Sequence, residues 1–436
     1  MSSADIPARP AVRIAVLGAG NRGQKYTEWI RAHQHLATVV AVADPRPVAR
    51  ARVAAGFDGP REFETWQELM AAIGSGELAR PDAVLVTTQD RDHLAPCLAV
   101  AEAGLPLLVE KPLGVTAEEC TTIVEAVQRA DVPFAVGHVM RYTPYTDLVR
   151  SVVDSGRLGR IINIQHLEPV GWWHAAHSYV RGNWRRTDES APMLLAKSSH
   201  DIDWIMHVTG RRIDSVASFG DRSHFRAAEA PAGSGERCLD CAVEADCPFS
   251  AKAIYLEPAR RTGTVRWPGS VITDGDSPAD IEEALRVGPY GRCVYRSDND
   301  VVDNQVLALQ FDDGTSGTFT MTSFSEHTGR RTQIFGTHGM LDGDGEQVEV
   351  VEFRSGTREV LRVGDMGGAD AAGGHGGGDA GLIAAFVEAV ATGDRSVIRS
   401  GAEETLRSHL AVFAAEESRR TGTIQQVPRP TAVRPG

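Results

Sequence analysis

The stretch Val12-Arg13-Ile14-Ala15-Val16-Leu17-Gly18-Ala19-Gly20-Asn21-Arg22-Gly23 decides the fold. Its first half is apolar and β-branched, which predicts a strand, and it then breaks on glycines spaced G-x-G-x-x-G. Tyr26, Trp29 and Ile30 follow at helical spacing. Bare glycines let a backbone approach a pyrophosphate, and a helix N-terminus offers amide donors and the positive end of a dipole. Standing alone, such a motif can be no more than a turn. Here a predicted strand and helix flank it, and a second, valine-rich run from 37 to 43 ends on Asp44, about 20 residues on, where a carboxylate binds ribose hydroxyls. Gly18, Gly20, Asn21, Arg22, Gly23 and Asp44 are therefore candidate dinucleotide contacts. Asp44 argues for NAD over NADP, because its charge repels a 2′-phosphate, while Arg46 two residues later is the feature that would favour NADP.

Working outward, residues 83–88, 107–109 and 133–137 read as further strands, with a helix around Leu94, Leu98 and Val100 between the first two. Strands alternating with helices imply a parallel, doubly wound α/β sheet, assigned to 11–138. From 139 to 428 the pattern changes. Leu307, Leu309 and Phe311 alternate up to the turn Asp312-Asp313-Gly314, and Phe319 and Met321 continue beyond it, which predicts a β-hairpin. Further β-rich pieces at 161–167, 215–220 and 348–353 predict a second α/β domain with a large, open, mainly antiparallel sheet. A Cys-rich insertion occupies about 225–300, and the glycine-rich stretch 364–381 reads as a loop or lid. Helices are expected over 382–391 and 403–419.

With 436 residues the chain has room for two to three domains. Lys and Arg number 45 against 58 Asp and Glu, a net charge of −13 that excludes phosphate backbones and anionic membrane surfaces as natural partners. The first residues lack the apolar core of a signal peptide, and no apolar run is long enough to span a bilayer. Six cysteines are too few for a secreted disulfide scaffold of this length, so a cytoplasmic protein is expected.

Lys111, in Glu110-Lys111-Pro112, stands just past a predicted strand, and ligands of doubly wound sheets gather outside the carboxyl ends of strands. A lysine there can donate to a developing alkoxide, although a surface Glu–Lys pair is the commoner fate of such residues. The combination of Gly18-x-Gly20-x-x-Gly23, Thr88-Gln89-Asp90-x-x-His93, Glu110-Lys111-Pro112 and Arg141-Tyr142-x-Pro144 resembles the Gfo/Idh/MocA family of sugar and inositol oxidoreductases. The resemblance is specific over 11–145 and looser to about 428. It implies a Rossmann domain followed by an α/β domain, Lys111 as the active-site lysine, and Arg141 near the nicotinamide. Thr88, Gln89, His93 and Glu110 join the cofactor candidates on the same ground.

Lys197-Ser198-Ser199-His200-Asp201 carries the second half of the expected site. Ser198 with Asp201 reads as a capping box, which would put His200 in the first turn of a helix ended by Gly210. Histidine titrates nearest working pH and suits acid–base work, whereas a histidine tucked at a helix start is the bland alternative. Most family members carry an aspartate four residues before this histidine; here that position is Ala196, with Lys197 beside it to tune His200 or bind substrate. Trp172, Trp184 and Arg185 read as pocket wall, since aromatic faces with polar tips suit a sugar ring. His375, inside a glycine run, resembles a histidine near the site of some sugar-acting relatives.

Cys238, Cys241, Cys247 and Cys293 fall outside the family pattern, and their spacing suits a tetrahedral Cys₄ zinc site, with iron–sulfur ligation or four buried thiols as alternatives. The functional expectation is a homo-oligomeric NAD-dependent dehydrogenase of a sugar, polyol or sugar derivative. A redox-neutral, NAD-dependent glycoside hydrolase is the alternative, and a non-catalytic nucleotide sensor is a third reading.

Overall fold

The computed structural model describes residues 9–326, 329–366 and 374–430. Packing divides the chain into two compact units: 1–151 with 362–410 and 429–436, and 152–361 with 411–428. The boundary expected at 139 follows chain order; the return of 362–410 into the first unit depends on packing, which chain order does not carry.

The first unit is built on six parallel strands, β1 (Val12–Leu17), β2 (Ala37–Ala43), β3 (Arg61–Phe63), β4 (Ala83–Val86), β5 (Leu107–Val109) and β6 (Phe134–Val136), in the order β3-β2-β1-β4-β5-β6. This is the dinucleotide-binding order, whose switch point lies between β1 and β4. Ile14, Val16, Val39, Leu85 and Leu108 form a core that also takes in Leu382, Ile383 and Phe386 of the helix Gly378–Thr392. That helix begins inside the glycine-rich stretch expected to be a loop. Its glycines serve close packing: a Cβ at Gly378 would lie 2.3 Å from the Val139 carbonyl oxygen, and one at Gly381 would lie 2.8 Å from that of Tyr142. Residues 367–373 of the expected lid lie outside the described residues.

The second unit carries a nine-stranded sheet. Its strands are β7 (Ile161–Pro169), β8 (Ile213–Asp221), β9 (Asn304–Phe311), β10 (Ser316–Thr322), β11 (Arg331–Gly336), β12 (Gly339–Gly343), β13 (Gln347–Glu352), β14 (Arg358–Arg362) and β15 (Gln425–Gln426). The expected hairpin is β9–β10, with Leu307 opposite Phe319. One pairing, β7 with β10, is parallel, and it brings Glu168 level with Met321 at the sheet's centre. The insertion folds around its own apolar cluster of Phe225, Phe249, Tyr255, Tyr290 and Tyr295. Among the described residues no helix is long and apolar enough to cross a membrane.

Candidate functional site

The glycine loop takes its shape from two of its three glycines. Gly18 has φ +96°, and a Cβ there would lie 2.4 Å from the Thr87 carbonyl oxygen, while one at Gly23 would lie 2.3 Å from the Gly18 oxygen. Side chains at these positions would drive the loop off β4. Gly20 is different: the nearest atom to its Cβ position is the Arg46 guanidinium at 3.8 Å, so its bare backbone faces open space. It caps the helix Asn21–Ala32, whose first turn holds no acidic residue and no side-chain cap. Uncapped amides at a helix start free of acidic residues suit a phosphate group, so these residues fit a dinucleotide.

Asp44, 6% exposed, ties this loop to β2. Its carboxylate accepts from the Ala19 amide at 2.8 Å and the Arg46 amide at 2.9 Å, and it pairs with the Arg46 side chain at 3.0 Å. Burial pushes the carboxyl up, but the hydrogen bonds from Arg46 and Ala19 outweigh it and hold it below its ordinary value.

Lys111 follows β5, and the residue before it is the anchor. Glu110 accepts from Arg22 Nε at 2.7 Å and Tyr26 hydroxyl at 2.5 Å, and its other oxygen takes the Lys111 amide at 3.1 Å. Arg22 also pairs with Asp379 at 2.6 Å, tying the cofactor-side helix to the helix Gly378–Thr392. Burial alone would raise the Glu110 carboxyl, yet the Arg22 charge and the hydrogen bonds of Tyr26 and Arg22 hold it low. A buried charge cluster thus fixes the backbone from which Lys111 projects.

Other cofactor candidates take part in contacts within the first unit. His93 is buried, with Nδ1 2.7 Å from the Pro112 oxygen and Nε2 3.3 Å from that of Thr88. Thr88 itself donates to the Asp92 oxygen, Gln89 is exposed, and buried Arg141 donates to the Arg399 oxygen at 2.5 Å. Thr87, unremarked in the sequence, closes the loop by donating to the Gly18 oxygen at 2.5 Å.

In the second unit the helix holding His200 runs Met193–Thr209 with Pro192 at its N-cap. The capping-box expectation is therefore corrected: Ser198 is buried mid-helix against the Met321 sulfur at 3.3 Å, and His200 sits beyond the first turn. The expected end at Gly210, in left-handed conformation, does occur. Asp201 turns inward instead of capping, accepting from Arg330 and lying 3.1 Å from His166 Nε2. His166 and Glu168 alternate onto one face of β7, and Thr332 of β11 meets His166 Nδ1 at 2.7 Å.

Arg330 joins the group. It pairs with Glu168 at 2.8 Å and with Asp201, and its Nη2 lies 2.9 Å from His200 Nε2. A guanidinium can only donate, so in this contact the histidine nitrogen is the acceptor. Lys197 Nζ lies 3.0 Å from Glu168, and so reaches His200 through Glu168 and Arg330. Burial would raise the Asp201 carboxyl, but the Arg330 charge and the His166 hydrogen bond hold it well below the ordinary range. Arg330, Glu168 and His166 escaped the sequence reading. Only His166 fell within a predicted strand, 161–167; Glu168 lay one residue beyond it and Arg330 carried no signal.

Trp172 packs on Phe249 at 6.3 Å between ring centroids, joining the insertion's core, and Trp184 lies 6.3 Å from Tyr179. Arg185 is held by Asp298 and Glu189, both at 2.9 Å. His375 falls in a short turn, Gly374–Gly377, and its side chain lies outside the described residues. Cys238, Cys241, Cys247 and Cys293 do line one cavity. The zinc expectation is nevertheless corrected, because among the described residues no three His, Cys, Asp or Glu side chains are grouped to hold a single ion.

Residues 12–138 match the Gfo/Idh/MocA oxidoreductase family's NAD-binding Rossmann fold, and 150–428 match its C-terminal α/β domain. The chain is 33% identical over 199 residues to the rhizopine catabolism protein MocA of Rhizobium meliloti, covering 46% of this chain and 57% of that protein. Against inositol 2-dehydrogenase of Corynebacterium glutamicum it is 29% identical over 210 residues, 47% of this chain and 56% of the relative. The match thus spans under three fifths of either relative's length. Among solved structures, a levoglucosan dehydrogenase complexed with NADH and levoglucosan aligns with TM-score 0.68 and 16% identity, covering 96% of this chain and 100% of that one.

Proposed function

Because the chain belongs to the Gfo/Idh/MocA oxidoreductase family, we propose that it transfers a hydride between NAD and a sugar, polyol or sugar derivative. The carrying observation is the open Gly20 backbone over an uncapped helix start, with Lys111 anchored through Glu110 to Arg22 of that same helix. Bound NAD would supply the hydride acceptor or donor. Gly18, Gly20 and Gly23 would admit its pyrophosphate, and Asp44 its ribose. Lys111 would hold or move the proton of the reacting hydroxyl, and His200 is the second acid–base candidate, its Nε2 engaged here by Arg330. Lys197 pairs with Glu168, which also pairs with Arg330 beside His200.

The test is Lys111→Met, assayed for NADH formation with inositols, free sugars and anhydrosugars. Turnover should fall by about 10²-fold or more, while NAD affinity stays within a few fold. Near-normal turnover would return Lys111 to a surface pair. NAD that survives dialysis, with product formed but no net NADH, would replace the dehydrogenase by the redox-neutral hydrolase.

A further inference from the structure

Four of the six cysteines come together in the second unit, in a part of the chain that hydride transfer does not use. Cys238, Cys241, Cys247 and Cys293 line one cavity with Arg181 and Tyr295, and all four are free thiols. Two of the sulfurs are met by N–H donors. Arg181 Nη2 lies 3.4 Å from Cys238 Sγ, and the Gly235 amide 3.4 Å from Cys241 Sγ. Cys247 and Cys293 each open a tight turn: the Ser250 amide donates to the Cys247 carbonyl at 3.1 Å and the Arg296 amide to that of Cys293 at 3.0 Å. Hydrogen bonds to cysteine sulfur are a feature of sulfurs that ligate iron–sulfur clusters.

A second observation is independent of the sulfurs. Arg181 is 1% exposed, and its charge has no carboxylate partner among the described residues. It donates to the Arg292 and Phe249 carbonyls at 2.8 and 2.9 Å, yet its Nη1 has no hydrogen-bond partner there. Glu244, the acid lining the cavity, is already paired with Lys252 at 2.7 Å. An uncompensated buried guanidinium is costly, and negative charge held in the cavity would remove that cost.

We propose that the four thiolates hold an iron–sulfur cluster that ties 238–247 to Cys293, with Arg181 as its buried counter-charge. A single tetrahedral ion draws its sulfurs to about 2.3 Å, and among the described residues no donors are grouped that way. A cluster of several irons and sulfides keeps its cysteines farther apart and fills the space between them. Four cysteine ligands with hydrogen bonds to their sulfurs are its ordinary setting.

The full chain, made in iron-replete cells and purified without oxygen, should contain iron and acid-labile sulfide in equal amounts, with a visible absorption that dithionite bleaches. Cys241→Ala and Cys293→Ala should lose both, Cys97→Ala neither. Arg181→Met should lower the iron content, and Arg181→Lys should restore part of it. Zinc in place of iron, or folded wild-type chain with four titratable thiols and no metal, would overturn the proposal. Wild-type stoichiometry decides even where a cysteine variant fails to fold, and none of these readouts depends on the dehydrogenase reading.

Discussion

In the first unit, the groups poised for a dinucleotide lie on one strand–turn–helix and at the ends of strands β2 and β5 of the same sheet. In the second, the groups around His200 come from three separated stretches: β7 supplies His166 and Glu168, the helix Met193–Thr209 supplies Asp201, and Arg330 precedes β11. A phosphate is recognised by backbone, so its site is written in glycines and spacing that a short stretch can carry. A buried side-chain network has no such local grammar. It depends on strand register, and a slip of one residue in β7 would turn His166 and Glu168 to the other face.

The sharpest way to break this comparison is Asp201→Asn, which keeps shape and removes charge. Arg330 would be left with Glu168 alone, and His166 would lose its anionic partner. Breaking one arm of a buried network should cost about 3 kcal/mol, read by urea unfolding at neutral pH. The pH dependence has a definite sign. Because the folded carboxyl lies below its unfolded value of about 3.9, its stabilisation is complete above that pH. It is lost as pH falls through the folded value. The gap between wild type and variant should therefore be constant near neutrality and shrink in acid. Coincident unfolding curves at all pH values would mean that Asp201 holds nothing together.

Within the glycine loop a smaller contrast separates shape from ligand. Gly23→Ala places a methyl against the Gly18 oxygen and should cost about 1–3 kcal/mol of stability. Gly20→Ala meets nothing closer than 3.8 Å, so stability should stay within about 0.5 kcal/mol while NAD binding weakens. Equal losses of stability in the two variants would sink the assignment of Gly20 to the ligand.

The same contrast explains what the sequence could disclose. The parallel sheet, the hairpin at 312–314, Lys111 after its strand and the open sheet of the second unit all rest on periodicity and short motifs, and all are present. Ser198 misled because a Ser-x-x-Asp spacing reads the same whether the helix starts there or five residues earlier. The glycine run misled in a related way. Gly378 and Gly381 are there for close approach to 139–142, and only packing distinguishes that use of glycine from flexibility. Arg330 was invisible, since nothing around it marks which of the chain's many arginines would be buried between two carboxylates.

The mildest test bears on Asp44, where local motif and side-chain network meet. Its carboxylate both steadies the loop, through the Ala19 amide, and pairs with Arg46, which is itself 58% exposed. Asp44→Ser keeps a small acceptor for that amide while removing the charge and releasing Arg46. NAD affinity should fall about tenfold, the worth of one hydrogen bond to a charged group. NADP affinity should fall less or rise, because the freed guanidinium can face a 2′-phosphate. Fluorescence titration of both nucleotides gives the ratio, which is insensitive to any general loosening of the loop. If wild type already bound NADP more tightly, Arg46 would be the selecting residue, and Asp44 would serve to hold Arg46 in place.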